Sequence, residues 1–191
     1  MHIAFVGLGQ MGRPMAINML KSGAKLTVSS ASGKRHAELE AKGAQATSDP
    51  AVVARADIVF LCLPGTEAVR ETLFGAKGIA AMMGASQIIV DTSTMDYLET
   101  REFANKLAER GIGFIDAPVS GMEARAIEGT LFVAGPSVFF ASADKSIEGI
   151  SPPADTGSGL PAVVSINKSN GAIGETIQSG KGDLPLDGTM G

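Results

Sequence analysis

The chain has 191 residues and a formal net charge of −4, room for one domain with an appendage but not for two full cores. Apolar residues make up 45% and charged residues 19%, which excludes wholesale disorder, and 24 glycines against 5% aromatics favour a fold of small residues and tight turns over an aromatic-filled sandwich. The acidic balance supplies no basic field for a nucleic acid or an anionic membrane, so small molecules are the expected partners. Cys62 is the single cysteine and cannot close an internal disulfide, and with two histidines no metal site is expected. A reducing, cytoplasmic location follows. The start of the chain lacks the basic residues and long apolar stretch of an export signal, and the longest apolar run, Ile58 to Leu63, is too short to cross a bilayer.

Over the first two-thirds, short β-branched runs alternate with helical patterns, as in the repeated β-α units of a parallel sheet. Ile3 to Val6 is the first predicted strand. Gly9 to Ser22 follows as a helix, with Met11, Met15, Met19 and Leu20 on one face and Gly23 as its stop. Leu26 to Val28 is the second strand, and Lys34 to Lys42 a short charged helix. Asp49 and Pro50 pair a capping carboxylate with a proline at the first helical position, opening a short helix to Arg55. Ile58 to Leu63 is the most apolar strand. Glu67 to Leu73 is helical, Ile88 to Val90 is a strand, and Asp96 to Arg110 is a longer helix with Tyr97, Ala104, Leu107 and Ala108 at inward spacings. Ile112 to Ile115 and Leu131 to Val133 are the last clear strands. Beyond Gly135, Ser, Gly, Pro and Asp crowd the sequence, and no stretch of helical length keeps an apolar stripe. Residues 136–191 are therefore expected to form a poorly ordered tail behind a domain of residues 1–135.

Gly7, Gly9 and Gly12 have the G-x-G-x-x-G spacing, with Gln10 and Met11 completing the turn, directly after a predicted strand and at the opening of a predicted helix. The first glycine permits the sharp turn, the second lets backbone approach a pyrophosphate, and the third allows the helix to pack on its strand. Free N–H groups at the helix start then meet the negative charge. The expected fold is a Rossmann-type, doubly wound α/β parallel sheet that binds a dinucleotide. At the end of the second strand an acidic residue would take the ribose hydroxyls of NAD, but Ser29, Ser30, Ala31 and Ser32 are neutral and Lys34 and Arg35 follow. Ser30 is thus a candidate ligand, and NADP is preferred over NAD.

Phe5 to Gly12, followed by Pro14, Met15, Ala16, Asn18 and Gly23, resembles the opening signature of the β-hydroxyacid dehydrogenases, the family of 3-hydroxyisobutyrate, tartronate semialdehyde and 6-phosphogluconate dehydrogenases. Further matching stretches follow in order: Leu61 to Pro64, Gly78-Ile79, Asp91 to Thr94, and Asp116 to Gly121 continuing to Gly129-Thr130-Leu131. The resemblance ends near Gly135. It implies that Leu63 and Pro64 contact the ribose and nicotinamide side of the cofactor, that Thr94 lies near the nicotinamide, and that Ser120 and Gly121 grip the substrate carboxylate. Read by itself, Thr94 is a helix cap ahead of Asp96, and Cys62 is core filling. Where the family has a second glycine this chain has Met122, whose side chain would narrow the pocket or disfavour the required backbone angles.

The resemblance also implies an all-helical second domain carrying a lysine that acts as general acid/base. No such lysine is assigned: Gly157 to Gly159 match the family only faintly, and Lys145, Lys168 and Lys181 read as solvated charges in the tail. Two functions are therefore expected to compete. One is an NAD(P)-dependent oxidoreductase acting on a small β-hydroxy acid or its aldehyde or ketone, in a truncated chain and with a homo-oligomer possible. The other is a catalytically impaired NADP-binding module without the substrate domain.

Overall fold

The computed structural model describes residues 1–33 and 36–134, together with the backbone of 137–139, 164–166 and 173–175. Six β-α steps make up most of it. β1 (His2–Val6) leads to α1 (Gly12–Lys21), β2 (Lys25–Ser29) to α2 (His36–Glu40), and β3 (Gln45–Ala46) to α3 (Pro50–Val53). β4 (Ile58–Leu61) is followed by α4 (Thr66–Phe74) and a 3₁₀ turn over Ile79–Met82, β5 (Ile88–Asp91) by α5 (Tyr97–Ala108), and β6 (Gly113–Asp116) by β7 (Val119–Ser120), α6 (Met122–Glu128) and β8 (Phe132–Val133). β9 (Ser137–Phe139), β10 (Val164–Ile166) and β11 (Ile173–Glu175) come last.

The main sheet runs β3-β2-β1-β4-β5-β6, all parallel, with β9 added antiparallel on the β6 edge. Strand order reverses between β1 and β4, the doubly wound arrangement in which ligands lie across the carboxyl ends at the reversal. Alternation along each strand builds two cores. Ala4, Val59, Leu61, Ile89 and Phe114 face Val69 and Leu73 of α4 and Phe103 and Leu107 of α5, while Phe5, Leu26 and Val28 face Ala16 of α1 and Leu39 of α2. Each large side chain so buried contributes ~1.5–3 kcal/mol, so the sheet is held from both sides.

The structure corrects several expectations. α1 begins at Gly12 rather than Gly9, because Met11 stands at its cap with no side-chain oxygen to hold the first turn; the Gly9 carbonyl nevertheless already accepts from Arg13 N–H at 3.1 Å. The inner face of α5 is Thr100, Phe103, Ala104 and Leu107, while Tyr97 is 69% exposed: it is the first helical residue and projects before the core begins. Its cap is Asp96 itself, accepting from Leu98 and Glu99 N–H, and not Thr94. The strand expected at 131–133 leaves the main sheet and pairs antiparallel with β7. β3 and α6 leave no pattern in the sequence, because a two-residue strand has no period and α6 buries only Ala126. Asp49 caps α3 as expected, accepting from Ala51 N–H at 2.9 Å. Within the expected tail, β9 continues the sheet past 135 and β10 pairs antiparallel with β11; Lys145, Lys168, Lys181 and residues 157–159 lie outside the described residues.

Candidate nucleotide-binding site

The three glycines of the turn stand in three different environments. A Cβ on Gly7, which sits at φ +100°, would run into the carbonyl group of Cys62 at the end of β4. On Gly12 it would overlap the Gly7 carbonyl oxygen and come to 3.0 Å from the Phe5 ring, so α1 lies against the turn with no room for a methyl. On Gly9 it would meet nothing within 4 Å. The middle glycine therefore faces open space above the carboxyl ends of the strands, and Gly9 and Gln10 are exposed with Met11 half-buried. Among the described residues, no backbone partner is present for the N–H groups of Gly9, Gln10 and Met11. An unobstructed glycine beside free N–H donors at a helix start suits a diphosphate.

The other strand-end loops are tied to this turn and to each other. Gly7 N–H donates to Ser29 carbonyl at 2.9 Å, joining the turn to the end of β2. Leu63 N–H donates to Ser93 Oγ at 2.9 Å, and Ser93 N–H donates to Asp91 Oδ1 at 2.9 Å. Val119 N–H donates to Thr92 carbonyl at 3.3 Å and Asp96 N–H to Thr66 Oγ1 at 2.9 Å. Leu63 is half-buried, while Pro64, Thr94 and Ser120 are exposed. Ser120 belongs to a β7–β8 ladder rather than to an irregular loop, opposite Phe132.

Beneath these loops lie two carboxyls that sequence reading did not single out as a site. Asp91 and Asp116 end adjacent strands and are register partners. Asp91 is fully buried, and its Oδ2 has no hydrogen-bond partner among the described residues. Burial pushes its pKa up; burial, and then the nearby Asp91, raise that of Asp116 to about 6. Burial likewise pushes the Cys62 thiol up, which favours its protonated form. It packs against the Phe5 cluster.

At the ends of β1 and β2 a cavity of about 250 Å³ opens, lined on one side by Ser29, Ser30 and Ala31. Ser30 Oγ lies 3.4 Å from His36 Nε2, a contact of hydrogen-bond type. Lys34 and Arg35, the cations expected next to it, lie outside the described residues. Lys77 and Ser48 also line this cavity, and a lone lysine in a short connection carries no sequence signal of its own. An unobstructed glycine turn beside a cavity lined by hydroxyls and one lysine is a donor set that fits a dinucleotide.

The family model for the NAD binding domain of 6-phosphogluconate dehydrogenase matches residues 2–157. The chain belongs to this NAD-binding domain family. It is 41% identical over 134 residues to 2-hydroxy-3-oxopropionate reductase of Escherichia coli (strain K12), covering 70% of this chain and 46% of that protein. A solved structure of Mycobacterium tuberculosis 3-hydroxyisobutyrate dehydrogenase with L-serine matches with TM-score 0.66 and 30% identity, over 71% of this chain and 46% of that one. A structure of Psf3 in complex with NADP+ and 2-OPP matches with TM-score 0.66 and 29% identity, over 71% and 48%. The chain thus spans about half the length of the relatives it matches.

In this NAD-binding domain the loop after β7 departs from a glycine pair. Gly121 stands at φ +137° and Met122 at φ +61°, so the methionine takes the left-handed conformation that a glycine would adopt freely. The residue is 82% exposed. Asn18 of the opening signature donates to the carbonyls of Ala126 at 2.9 Å and Ile127 at 3.2 Å, which ties α1 to the end of α6. Among the described residues, no group of three or more His, Cys, Asp or Glu is placed to hold a metal, and no helix is long and apolar enough to cross a membrane.

Proposed function

We propose that this chain is the dinucleotide-binding part of an NAD(P)-dependent oxidoreductase acting on a small β-hydroxy acid or the corresponding aldehyde or ketone, with NADP preferred over NAD. In this reading residues 1–135 form the binding domain and 136–191 an appendage. The observation that carries it is the open space at Gly9, beside N–H groups with no backbone partner and at the point where strand order reverses. Gly7 and Gly12 hold the turn closed, so Gly9, Gln10 and Met11 present their backbone to the diphosphate. Ser30 serves the adenosine ribose, Leu63, Pro64 and Thr94 the nicotinamide side, and Ser120 and Gly121 offer a hydroxyl and an N–H to the substrate carboxylate. When bound, the cofactor supplies the hydride donor or acceptor. The Asp91–Ser93–Leu63 hydrogen bonds keep two of these loops in register, a positioning role for Asp91. The activities named for the relatives support the substrate class, and the neutral Ser29–Ser32 run supports NADP. A cytoplasmic place and self-association complete the reading.

A second reading, a cofactor-binding module with little turnover, is favoured by one observation: the strand-end loops 62–65, 92–96 and 117–121 contain neither lysine nor histidine to take the substrate's proton. A positioned acid/base group is worth ~10²–10⁴-fold in rate. Titration of NADPH and NADH by nicotinamide emission, beside an oxidation assay over a panel of β-hydroxy acids, tests both. Binding with steady turnover supports the enzyme, binding without it supports the module, and absence of binding overturns the two together.

A further inference from the structure

The cavity beside Ser30 contains a cation that the glycine turn does not use. Lys77 lies in the connection between α4 and the 3₁₀ turn, flanked by Gly75 and Gly78. A Cβ on Gly78 would press into the backbone of Leu73, and Gly78 N–H donates to Gly75 carbonyl at 2.8 Å, so this connection is folded tightly against the end of α4. Lys77 makes no hydrogen bond or ion pair to a described residue. The lining of the same cavity includes the hydroxyl-bearing Ser29 and Ser30 at the end of β2, together with Ser48 and Thr72 and, among the described residues, no carboxylate. Asp49 shares only the outer cleft with Lys77, and its Oδ1 is occupied by the Ala51 N–H. Lys77 is exposed, so its cation stands at the solvent side of a cavity that has hydroxyl-bearing residues and, among the described residues, no acidic lining, a setting that suits a compact dianion better than a neutral group.

In a doubly wound sheet, the end of the second strand is where the adenosine ribose carries its 2′ substituent. Resting on the dinucleotide reading given above, we propose that Lys77 binds the 2′-phosphate of NADP across the cavity from Ser30, and so sets the preference for NADP over NAD. The specificity of this chain then comes partly from the far wall, out of the α4 connection, and not only from the residues that follow β2. Lys77 acts as a point charge, so an arginine at this position retains most of the effect.

The test is calorimetric titration of the intact chain and of Lys77→Ala with NADP and with NAD, at low and at moderate salt. The expected result is a loss of about tenfold in NADP affinity, the factor one partly exposed charge-assisted contact supplies, with NAD affinity within about twofold of the parent. NADP binding by Lys77→Ala should also lose part of its salt dependence, and Lys77→Arg should restore affinity. Unchanged NADP affinity, or an equal loss for both cofactors, overturns the role of Lys77 while the dinucleotide reading stands. A parent chain that binds neither cofactor overturns that reading itself, and this proposal with it.

Discussion

Replacing Gly12 with alanine adds a single methyl at a place where the structure has none to spare. The new Cβ would overlap the Gly7 carbonyl oxygen and stand 3.0 Å from the Phe5 ring. The first obstacle is backbone, so no rotamer change relieves it, and α1 must lift from β1. Overpacking of this kind costs ~1–3 kcal/mol, and a fixed carbonyl puts Gly12 at the upper end. Alanine's helix-propensity gain of ~1 kcal/mol in a helix interior offsets little at a first helical residue. The expected net loss is about 2–3 kcal/mol, or roughly 5–10 °C in Tm for a domain of this size. Gly9→Ala is the control: nothing lies within 4 Å of its Cβ, so stability should stay within about 0.5 kcal/mol while cofactor affinity falls at least about tenfold. The chain has no Trp, so unfolding is followed by circular dichroism and binding by nicotinamide emission. Equal destabilisation by both variants, or an unperturbed Gly12→Ala, would refute the assignment of separate packing and binding glycines.

Met122→Gly should stabilise the chain by about 0.5–1 kcal/mol, since relief of the left-handed conformation at φ +61° outweighs the entropy of glycine and the side chain is 82% exposed; a lower denaturation midpoint contradicts this. Asp116 holds its proton to about pH 6 when folded but releases it near pH ~4 when unfolded, so the native state binds more protons between these values and stability falls as pH rises through them. Asp116→Asn should flatten that fall, worth about 1–2 kcal/mol given the partial burial, and an unchanged slope in pH-dependent unfolding would exclude it. Ser30→Asp places an anion at the cavity wall and should reverse the cofactor preference; NADP affinity equal to the parent's counts against the site.

The β-α order and the glycine turn were readable because both rest on local chemistry. A β-branched run repeats at period two, and the spacing of Gly7, Gly9 and Gly12 encodes close approach between β1, α1 and the end of β4. Asp49 with Pro50 was equally plain, as a cap needs only its own neighbours. What escaped depends on distant partners. Phe103 is buried because Phe74 meets its ring edge-on at 5.2 Å, a contact between α4 and α5 that the spacing within α5 does not reveal, and Tyr97 fits the same spacing yet projects to solvent. The Asp91–Asp116 register pair exists only once β5 and β6 lie side by side. Lys77 reaches the cavity at the end of β2 only because the α4 connection folds back, and nothing around it in the sequence says so. Ser120 and Gly121 were found by motif, but their β7–β8 ladder needed β8 to leave the main sheet.

The most direct measurement of the central claim is the dissociation constant of NADPH for the intact chain, titrated beside Gly9→Val. A saturable, single-site rise in nicotinamide emission with the parent chain is expected, lost in Gly9→Val while its unfolding transition stays that of the parent. No saturable binding by the parent, or the same affinity in both proteins, would contradict a dinucleotide site at the glycine turn.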